Sequence, residues 1–269
     1  MADAAGHVGM GHLARCTAVA SALAERGAQV RCLGFGAERP REIDGVAWEP
    51  IAEPVSAGGL LLLDSYSDRR DEFAAQAVFV DEEEPPPGAQ LVIGPRGLAP
   101  PRYACLRRAY WTPPVREAGQ EVRRVLVSTG AATAAGPLAR EVAAALPTAE
   151  VRMTGSEDAP GVTAIGTPET LREELEACDL AVTGAGQTML EALATERPVV
   201  AVVTAPNQRG QAEALSGAAL VTDDGPAAAA ALARDRERRR DLASQGRATV
   251  DGQGAHRVAE ALLELDAAL

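Results

Sequence analysis

The feature that most constrains this chain is a regular alternation of short apolar runs with amphipathic stretches of helical length. In the first half, strands are predicted at residues 29–34, 60–64, 77–81 and 91–94, and helices at 12–26 and 68–75. In the second half, the predicted strands are 125–129, 150–154, 179–183 and 198–203, and the predicted helices are 137–146, 168–177, 187–194 and a segment from 207 onward. Such alternation is typical of parallel sheets with crossover helices, so we expect an α/β fold.

The length of the chain and one break in its composition indicate two domains. The 269 residues suffice for two α/β domains of about 100–150 residues each. The polar, proline-containing segment 112–120 (TPPVREAGQ) precedes a new apolar strand and marks the boundary. We therefore expect Rossmann-like domains at 1–115 and 116–269 that face each other across a cleft. The last helix is expected to pack back on the first domain.

The N-terminus departs from the doubly wound pattern. A glycine-rich turn normally follows the first strand of such a domain, but here only residues 1–5 (MADAA) precede the turn. The first strand of the N-terminal domain is therefore expected to be missing or truncated. Either the natural start lies upstream or the chain has been shortened.

Charge and composition exclude several classes of function. The formal charge of -12 opposes binding to nucleic acid, because neutralising phosphates requires clustered positive charge. Apolar runs such as 58–63 are too short to span a bilayer, and no basic and then apolar leader opens the chain, so we expect a cytoplasmic protein without stable membrane insertion. The four cysteines lie far apart, which predicts neither a zinc site nor a disulfide framework.

The first candidate site is a glycine-rich turn that leads directly into a helix. Gly9 and Gly11 flank the turn, and His12 follows at the start of the helix. The partial positive charge of a helix N-terminus disfavours imidazolium, so His12 is expected to be neutral and able to act as a general base. The alternative is a plain turn with a solvent-facing histidine. His7 and His256 are interpreted as surface residues.

The second candidate site is a run of small residues between the strand at 179–183 and the helix at 187–194. Small residues let the backbone approach a diphosphate, and the helix start stabilises its charge. Glu191 lies about one turn into the helix, where its carboxylate can accept hydrogen bonds from ribose hydroxyls; the alternative is a solvent-facing helical glutamate. The predicted phosphate cradle consists of Gly184, Ala185, Gly186, Gln187 and Thr188.

Two further segments in the second half are candidates for nucleotide contacts. Asn207 is the only asparagine in the chain, and Asn207 and Gln208 follow the strand at 198–203, where open α/β sheets place ligand contacts. For Asn207 the alternative is a helix N-cap. Thr129 and Gly130 form a similar backbone turn after the first strand of the second domain.

Carboxylates also stand at the ends of two first-domain strands. Asp64 with Tyr66 follows one strand and Asp81 follows another. Carboxylates at strand ends can bind sugar hydroxyls, so these three residues are candidates. Glu83 and Glu84 are interpreted as solvated loop residues.

Together these motifs resemble a bacterial family that contains the UDP-sugar hydrolase of pseudaminic acid biosynthesis and the related spore-coat polysaccharide proteins. The opening ADAAGHVGMGHLARC is similar to that family's D-x-S…G-x-G-H-x-x-R-C signature, DSY to its D-x-Y, VDEE to its D-D-E and ACLRRAY to its L-R-x-E-F. TGAGQTMLEALATERP is similar to its phosphate-cradle helix, and APNQ and DGQGAHRV match late segments. A more distant likeness links the second half to the lipid-linked N-acetylglucosaminyltransferase of peptidoglycan synthesis, which has a two-domain GT-B architecture.

The resemblance implies a mechanism and a set of ligands. His12 would activate water to attack C1 of a UDP-linked amino or deoxy sugar with inversion, releasing UDP without a metal or cofactor. The catalytic residues would be His12, Asp64 and Tyr66, and the latter two would line the sugar pocket. The contacts to UDP would come from the cradle, Glu191, Asn207 and Gln208. STGAAT stands where the family has a G-G-x-D turn, which weakens one nucleotide contact. The substrate-binding residues would be Gly9, Gly11, Arg15 and Asp81.

Two other functions fit the same residues. A glycosyltransferase for a polysaccharide or a natural product would use the same UDP cradle and His12, but an acceptor hydroxyl would attack instead of water. No apolar and basic patch of the kind that lipid-acceptor transferases carry is evident in the first half, which favours hydrolysis. An inactive nucleotide-sugar-binding protein is the third alternative, favoured only by the short N-terminus. The sequence carries no signal for an oligomeric state.

Overall fold

The computed structural model describes residues 1–3, 11–53, 59–81, 84–113, 121–130, 135–156, 159–166 and 171–269. The chain divides into two compact units. Unit 1 comprises Met1–Arg108 and Gly252–Leu269, and unit 2 comprises Ala109–Asp251. Both are α/β units built on parallel strands, as the alternation of apolar runs predicts.

The described residues of unit 1 form two small sheets and two long helices. The strands are β1 (Ala2–Asp3), β2 (Cys32–Phe35), β3 (Arg41–Ile43), β4 (Val46–Ile51), β5 (Leu62–Leu63), β6 (Ala77–Phe79) and β7 (Leu91–Ile93). They form one sheet of order β1-β2-β4-β3 and one of order β5-β6-β7. Helix α1 (Gly11–Ala24) packs against the C-terminal helix at Gly254–Ala268.

The first strand of unit 1 is present but consists of two residues. Ala2 is fully buried, and β1 pairs in parallel with β2. On its other side, the amide of Asp3 donates to the Asp64 carbonyl and the amide of Asp64 donates to the Met1 carbonyl, both at 3.0 Å. The first strand is therefore truncated, as one of the two expected cases, and is not missing: its two residues link the two sheets through an isolated parallel bridge between Ala2 and Asp64.

Two other local predictions for unit 1 differ from the structure. The antiparallel pair β3 and β4 was not predicted, although its Asp44-Gly45 turn has positive φ at both residues (51° and 77°) and is a typical hairpin signal. The predicted helix at 68–75 is only a 3₁₀ turn at Arg70–Phe73. The chain leaves that turn at Ala74 in the left-handed conformation, with φ of 48°, which stops helix propagation.

In unit 2, the residues that the structure describes form a six-stranded parallel sheet with helices. Its strands are β8 (Arg124–Ser128), β9 (Glu150–Met153), β10 (Val162–Ala164), β11 (Leu180–Gly184), β12 (Val199–Val202) and β13 (Leu220–Val221), in the order β10-β9-β8-β11-β12-β13. Valines of the central strands, such as Val127 and Val182, are fully buried and form the core with the helices on one face. The helices are α2 (Gly136–Ala145), α3 (Arg172–Ala177), α4 (Gln187–Ala194), α5 (Arg209–Ala214), α6 (Gly225–Arg234) and α7 (Arg236–Thr249), and α8 is the C-terminal helix of unit 1.

The alanine- and arginine-rich stretch after β13 forms two helices, α6 and α7. Asp235 ends α6 and its side chain accepts a hydrogen bond from the amide of Arg238 at 2.9 Å, which begins α7. Arg239 is buried and donates to the carbonyls of Leu232 and Ala233, at the end of α6. One arginine of this charged run therefore stabilises the junction between two helices instead of facing solvent.

Candidate functional site

In unit 1, the first turn of α1 lies against the end of β5 and brings a histidine onto a carboxylate. His12 is the second residue of α1 and is buried. Its Nδ1 is hydrogen-bonded to Oδ1 of Asp64, which directly follows β5 and is fully buried. An ionised carboxylate can only accept hydrogen bonds, so Nδ1 carries the proton and Nε2 is left as the acceptor. The alternative of a solvent-facing histidine does not hold.

Arg15 lies three residues after His12 on α1 and binds the same carboxylate. Its Nε donates to Oδ2 of Asp64 at 2.5 Å, and its Nη2 donates to Oδ1 at 2.7 Å. Its Nη1 donates to Oδ1 of Asp81 at 2.9 Å. The guanidinium also lies 4.8 Å above the ring centroid of Phe79. Arg15 therefore joins the ends of two neighbouring strands, β5 and β6.

These contacts fix the charges of the cluster. Burial alone would raise the pKa of Asp64, but the charge and hydrogen bonds of Arg15, with the hydrogen bond of His12, hold that pKa well below its usual range. Burial lowers the pKa of Arg15, yet the two carboxylates outweigh it and the net shift is upward. Burial and the nearby Asp64 raise the pKa of the Cys16 thiol, so this cysteine is not a thiolate nucleophile. The cluster thus contains a fixed anion, a fixed cation and one imidazole.

Tyr66 completes the cluster on its exposed side. Its hydroxyl is hydrogen-bonded to Oδ2 of Asp81, and its ring meets the His12 ring edge-on with centroids 4.5 Å apart. The side chain of Asp3 accepts from the Tyr66 amide at 2.7 Å and from Ser65 Oγ at 2.6 Å. Tyr66 is 41% exposed, so this side of the cluster is open to a ligand.

In unit 2, the predicted cradle lies between β11 and α4. Gly184 ends β11, and a Cβ at that position would lie 3.0 Å from the Thr129 carbonyl oxygen and 3.1 Å from Oγ1 of Thr204. A side chain at this position would therefore require these neighbours to shift by a few tenths of an ångström. The N-cap residue of α4 is Gly186, which has no side chain to cap the helix, and a helix N-terminus carries partial positive charge. This arrangement suits an anion such as a diphosphate.

Two glutamines brace the backbone of the cradle. Oε1 of Gln208 accepts from the amides of Ala185 (3.2 Å) and Thr204 (2.9 Å) and from Oγ1 of Thr204 (3.1 Å). Nε2 of Gln211, on α5, donates to the carbonyls of Ala185 at 2.8 Å and Gly186 at 3.0 Å. The carbonyl oxygen of Gln208 is therefore used within the protein, and its Nε2 is the group that could face a ligand.

The remaining candidates of unit 2 lie at the same edge of the sheet. Thr129 is buried directly after β8, and Gly130 follows in the left-handed region with φ of 89°. Glu191 is buried on α4, which contradicts a solvent-facing glutamate. Asn207 is exposed within the 3₁₀ turn Pro206–Gln208 that precedes α5, so it does not occupy the N-cap position of that helix. Gln187 and Thr188 form the first turn of α4 and are half-buried.

Several predicted residues lie outside or away from these clusters. Four of the positions discussed from the sequence lie outside the described residues: His7, Gly9, Glu83 and the segment 131–134. Gly11 begins α1, and a Cβ there would meet nothing within 4 Å. His256 lies on the C-terminal helix, where it is hydrogen-bonded to Arg26 at 2.8 Å, away from the His12 cluster.

Sequence reasoning missed two residues of these clusters. Asp3 was treated only as part of the short N-terminus, although its carboxylate holds Tyr66. Gln211 was not selected, although it follows Gln208 at helical spacing, which is the signal that could have found it. Within the described part of the chain, no group of three or more His, Cys, Asp or Glu side chains is placed to hold a metal ion, and no helix is long and apolar enough to cross a membrane.

Comparison with known proteins shows the fold. No family model matches the chain, and no curated protein matches it. Among solved structures, MurG of Acinetobacter baumannii matches with a TM-score of 0.60 and 15% identity, over 98% of this chain and 98% of that chain. The glycosyltransferase of kitacinnamycin matches with a TM-score of 0.41 and 26% identity, over 58% of this chain and 46% of that chain. The glycosyltransferase SsfS6 of Streptomyces sp. SF2575 matches with a TM-score of 0.46 and 21% identity, over 66% of this chain and 53% of that chain.

The fold assignment rests on the MurG match, because this chain spans only about half the length of the other two structures. The predicted two-domain GT-B fold is confirmed. Nothing in these comparisons supports the hydrolase, pseudaminic acid or spore-coat part of the resemblance.

Proposed function

We propose that this protein is a glycosyltransferase that moves a sugar from a nucleoside-diphosphate sugar to an acceptor hydroxyl, with inversion at the anomeric carbon. UDP is the nucleoside diphosphate that we propose first. The observation that carries the proposal is the buried His12 whose Nδ1 is held by the ionised Asp64. A histidine fixed in this way presents Nε2 as a base with a defined tautomer and orientation.

The chemical step uses few groups. The acceptor O–H gives its proton to Nε2 of His12 while its oxygen attacks C1 of the sugar from the face opposite the nucleotide. The C1–O bond to the diphosphate breaks, and its electron pair leaves with UDP. Asp64 stabilises the imidazolium that forms, as an ion pair within the protein.

The leaving group is assigned to unit 2. The start of α4, whose N-cap is Gly186, suits a diphosphate, whose charge grows as the bond breaks. Glu191 is the candidate ribose ligand, and the exposed Asn207 and the Nε2 of Gln208 are candidate contacts to the same nucleotide. In unit 1, Tyr66, whose ring contacts the His12 ring, and Asp81, which is hydrogen-bonded to Tyr66, are the candidate contacts to the sugar or acceptor.

Transfer is better supported than hydrolysis because the chain shares its whole length with a GT-B glycosyltransferase fold. Hydrolysis, the reaction that the family resemblance implies, needs no change in the site: a water molecule would take the place of the acceptor. The two reactions therefore differ in what enters the site, not in its residues.

Phosphorus NMR distinguishes the two reactions. The protein is incubated with a panel of UDP-linked amino and deoxy sugars, with and without acceptor alcohols, and UDP release is followed together with His12→Ala. Transfer predicts UDP release only when an acceptor is present and none with the variant. Release at the same rate in water alone would establish a hydrolase instead, and no release from any donor would contradict both.

A further inference from the structure

Arg15 belongs to the His12 cluster, but its contacts differ from those of a substrate ligand. All three guanidinium nitrogens are engaged with protein carboxylates: Nε with Asp64, Nη1 with Asp81, and Nη2 with both. The side chain is only 19% exposed. A planar guanidinium held on two sides and stacked on Phe79 has little freedom to turn towards a ligand.

The position of Arg15 lets it act on the base through a shared partner. His12 and Arg15 lie three residues apart on α1, so their side chains share one face of the helix. Both donate to Asp64: His12 through Nδ1 and Arg15 through Nε and Nη2. The negative charge of one buried carboxylate is therefore divided between an imidazole and a guanidinium.

We propose that Arg15 is a positioning residue that fixes Asp64 for His12 and Asp81 for Tyr66, and that withholds part of the negative charge of Asp64 from the imidazole. This inference rests on the proposed function in that it takes His12 as the base. The family resemblance implies that Arg15 binds the substrate. The inference instead gives Arg15 the role of positioning other residues, without contact to the substrate.

The consequence is electrostatic. If the guanidinium is removed, the charge of Asp64 faces His12 alone and stabilises the imidazolium, so His12 takes up a proton at a higher pH and is a neutral base over a narrower range. A merely structural arginine would loosen the site without changing the pH at which His12 titrates. Among the described residues, the other charged or titratable groups close to this cluster are the Met1 amino group and Asp3 at the N-terminus, Cys16 on α1, Cys105, and Tyr66 and Asp81 after β5 and β6.

The test follows the His12 titration by NMR of its ring carbon in the free protein, with the signal identified by its loss in His12→Gln. Arg15→Met is expected to raise the midpoint by about one pH unit, the order expected when one neighbouring charge is removed. Arg69→Met is the matched control, because Arg69 is paired with Glu53 and Glu72 on the surface. It should leave the midpoint unchanged. A folded Arg15→Met protein with the wild-type midpoint would overturn the inference.

Arg15→Lys keeps the test decisive if Arg15→Met does not fold. Lysine retains the positive charge but not the planar fork, so the midpoint should stay near wild type while kcat falls and KM for the nucleotide sugar stays the same. Full kcat in this variant would equally overturn a positioning role. The NMR titration uses no substrate, so a protein without transferase activity would disprove the proposed function and still leave the role of Arg15 to be decided by the midpoint.

Discussion

The His12 cluster of unit 1 and the cradle of unit 2 are built from different chemical groups, and the proposed function gives each a different task. The cluster consists of side chains that carry or exchange protons, and the hydrogen bond between Arg15 and Asp81 joins positions 66 residues apart. The cradle consists of neutral backbone groups near Gly184 and two glutamine side chains. Moving a proton requires a titratable group, whereas holding a diphosphate requires only oriented dipoles. The two regions should therefore respond differently to pH and to substitution.

The largest expected effect separates catalysis from binding. His12→Gln removes the base and should lower kcat by about 10²- to 10⁴-fold, while the affinity for UDP measured by calorimetry stays the same because no cradle group changes. His256→Gln is the matched control on the other long helix of unit 1 and should retain activity. A His12→Gln variant with wild-type kcat would remove His12 from the mechanism.

The acid stability of unit 1 should depend on Asp64. Its pKa is lowered in the folded state by Arg15 and His12, so its contribution to stability is present above its ordinary pKa of about 4 and is lost as pH falls below that value. Asp64→Asn leaves Arg15 with an uncompensated charge and should cost about 3 kcal/mol at neutral pH. The loss should shrink as the pH falls from about 4 to 2.

Thermal unfolding across that pH range checks this expectation. Asp71→Asn provides the control, because the Asp71 side chain is 61% exposed. Equal pH dependence in wild type and Asp64→Asn would contradict the assigned charges of the cluster.

Gly184→Ala tests the cradle without touching a charge. The added methyl group would crowd the Thr129 carbonyl and Oγ1 of Thr204, and overpacking of this kind costs about 1–3 kcal/mol. Nucleotide affinity should fall by about tenfold or more, while the pH dependence of turnover stays the same. Gly210→Ala, where an added Cβ meets nothing within 4 Å, should bind normally. Unchanged affinity in Gly184→Ala would remove this backbone from the nucleotide site.

The smallest expected effect comes from Gln211. Gln211→Leu removes two hydrogen bonds to cradle carbonyls, each of which contributes about 1 kcal/mol. Part of this lost stabilisation should weaken UDP binding by several-fold. The pH dependence of turnover should not change. The exposed Gln245→Leu is the control. If Gln211→Leu shifted the pH profile instead, the separation between the two regions would fail.

The sequence predicts the strand and helix alternation well where periodicity is strong. Helix 187–194 is found at Gln187–Ala194, and the strand-end positions of Asp64 and Asp81 follow from the apolar runs before them. Local breaks were less predictable, since the left-handed Ala74 and the capping Asp235 end their helices through backbone geometry that apolar periodicity does not encode.

Within the site, the sequence indicates which residue types meet but not how they pair. His12, Asp64, Tyr66 and Asp81 were selected separately from strand ends and a helix start, and the structure brings them together. The sharing of Asp64 between His12 and Arg15 is a tertiary contact across 49 residues, which no local pattern encodes. The same holds for Asp3, whose partner Tyr66 lies 63 residues away.

The central claim is that one region moves the proton and the other holds the nucleotide. The direct test measures two quantities across about pH 5 to 8: kcat/KM for transfer, and the dissociation constant of the intact nucleotide sugar. Histidine is the side chain that ordinarily titrates in this range. The account predicts that kcat/KM falls towards acid pH as a single group is protonated, which gives the profile an acid limb. This acid limb should be absent in His12→Gln. The dissociation constant should not change across the same pH range. A dissociation constant that follows the same acid limb, or an acid limb that survives in His12→Gln, would contradict it.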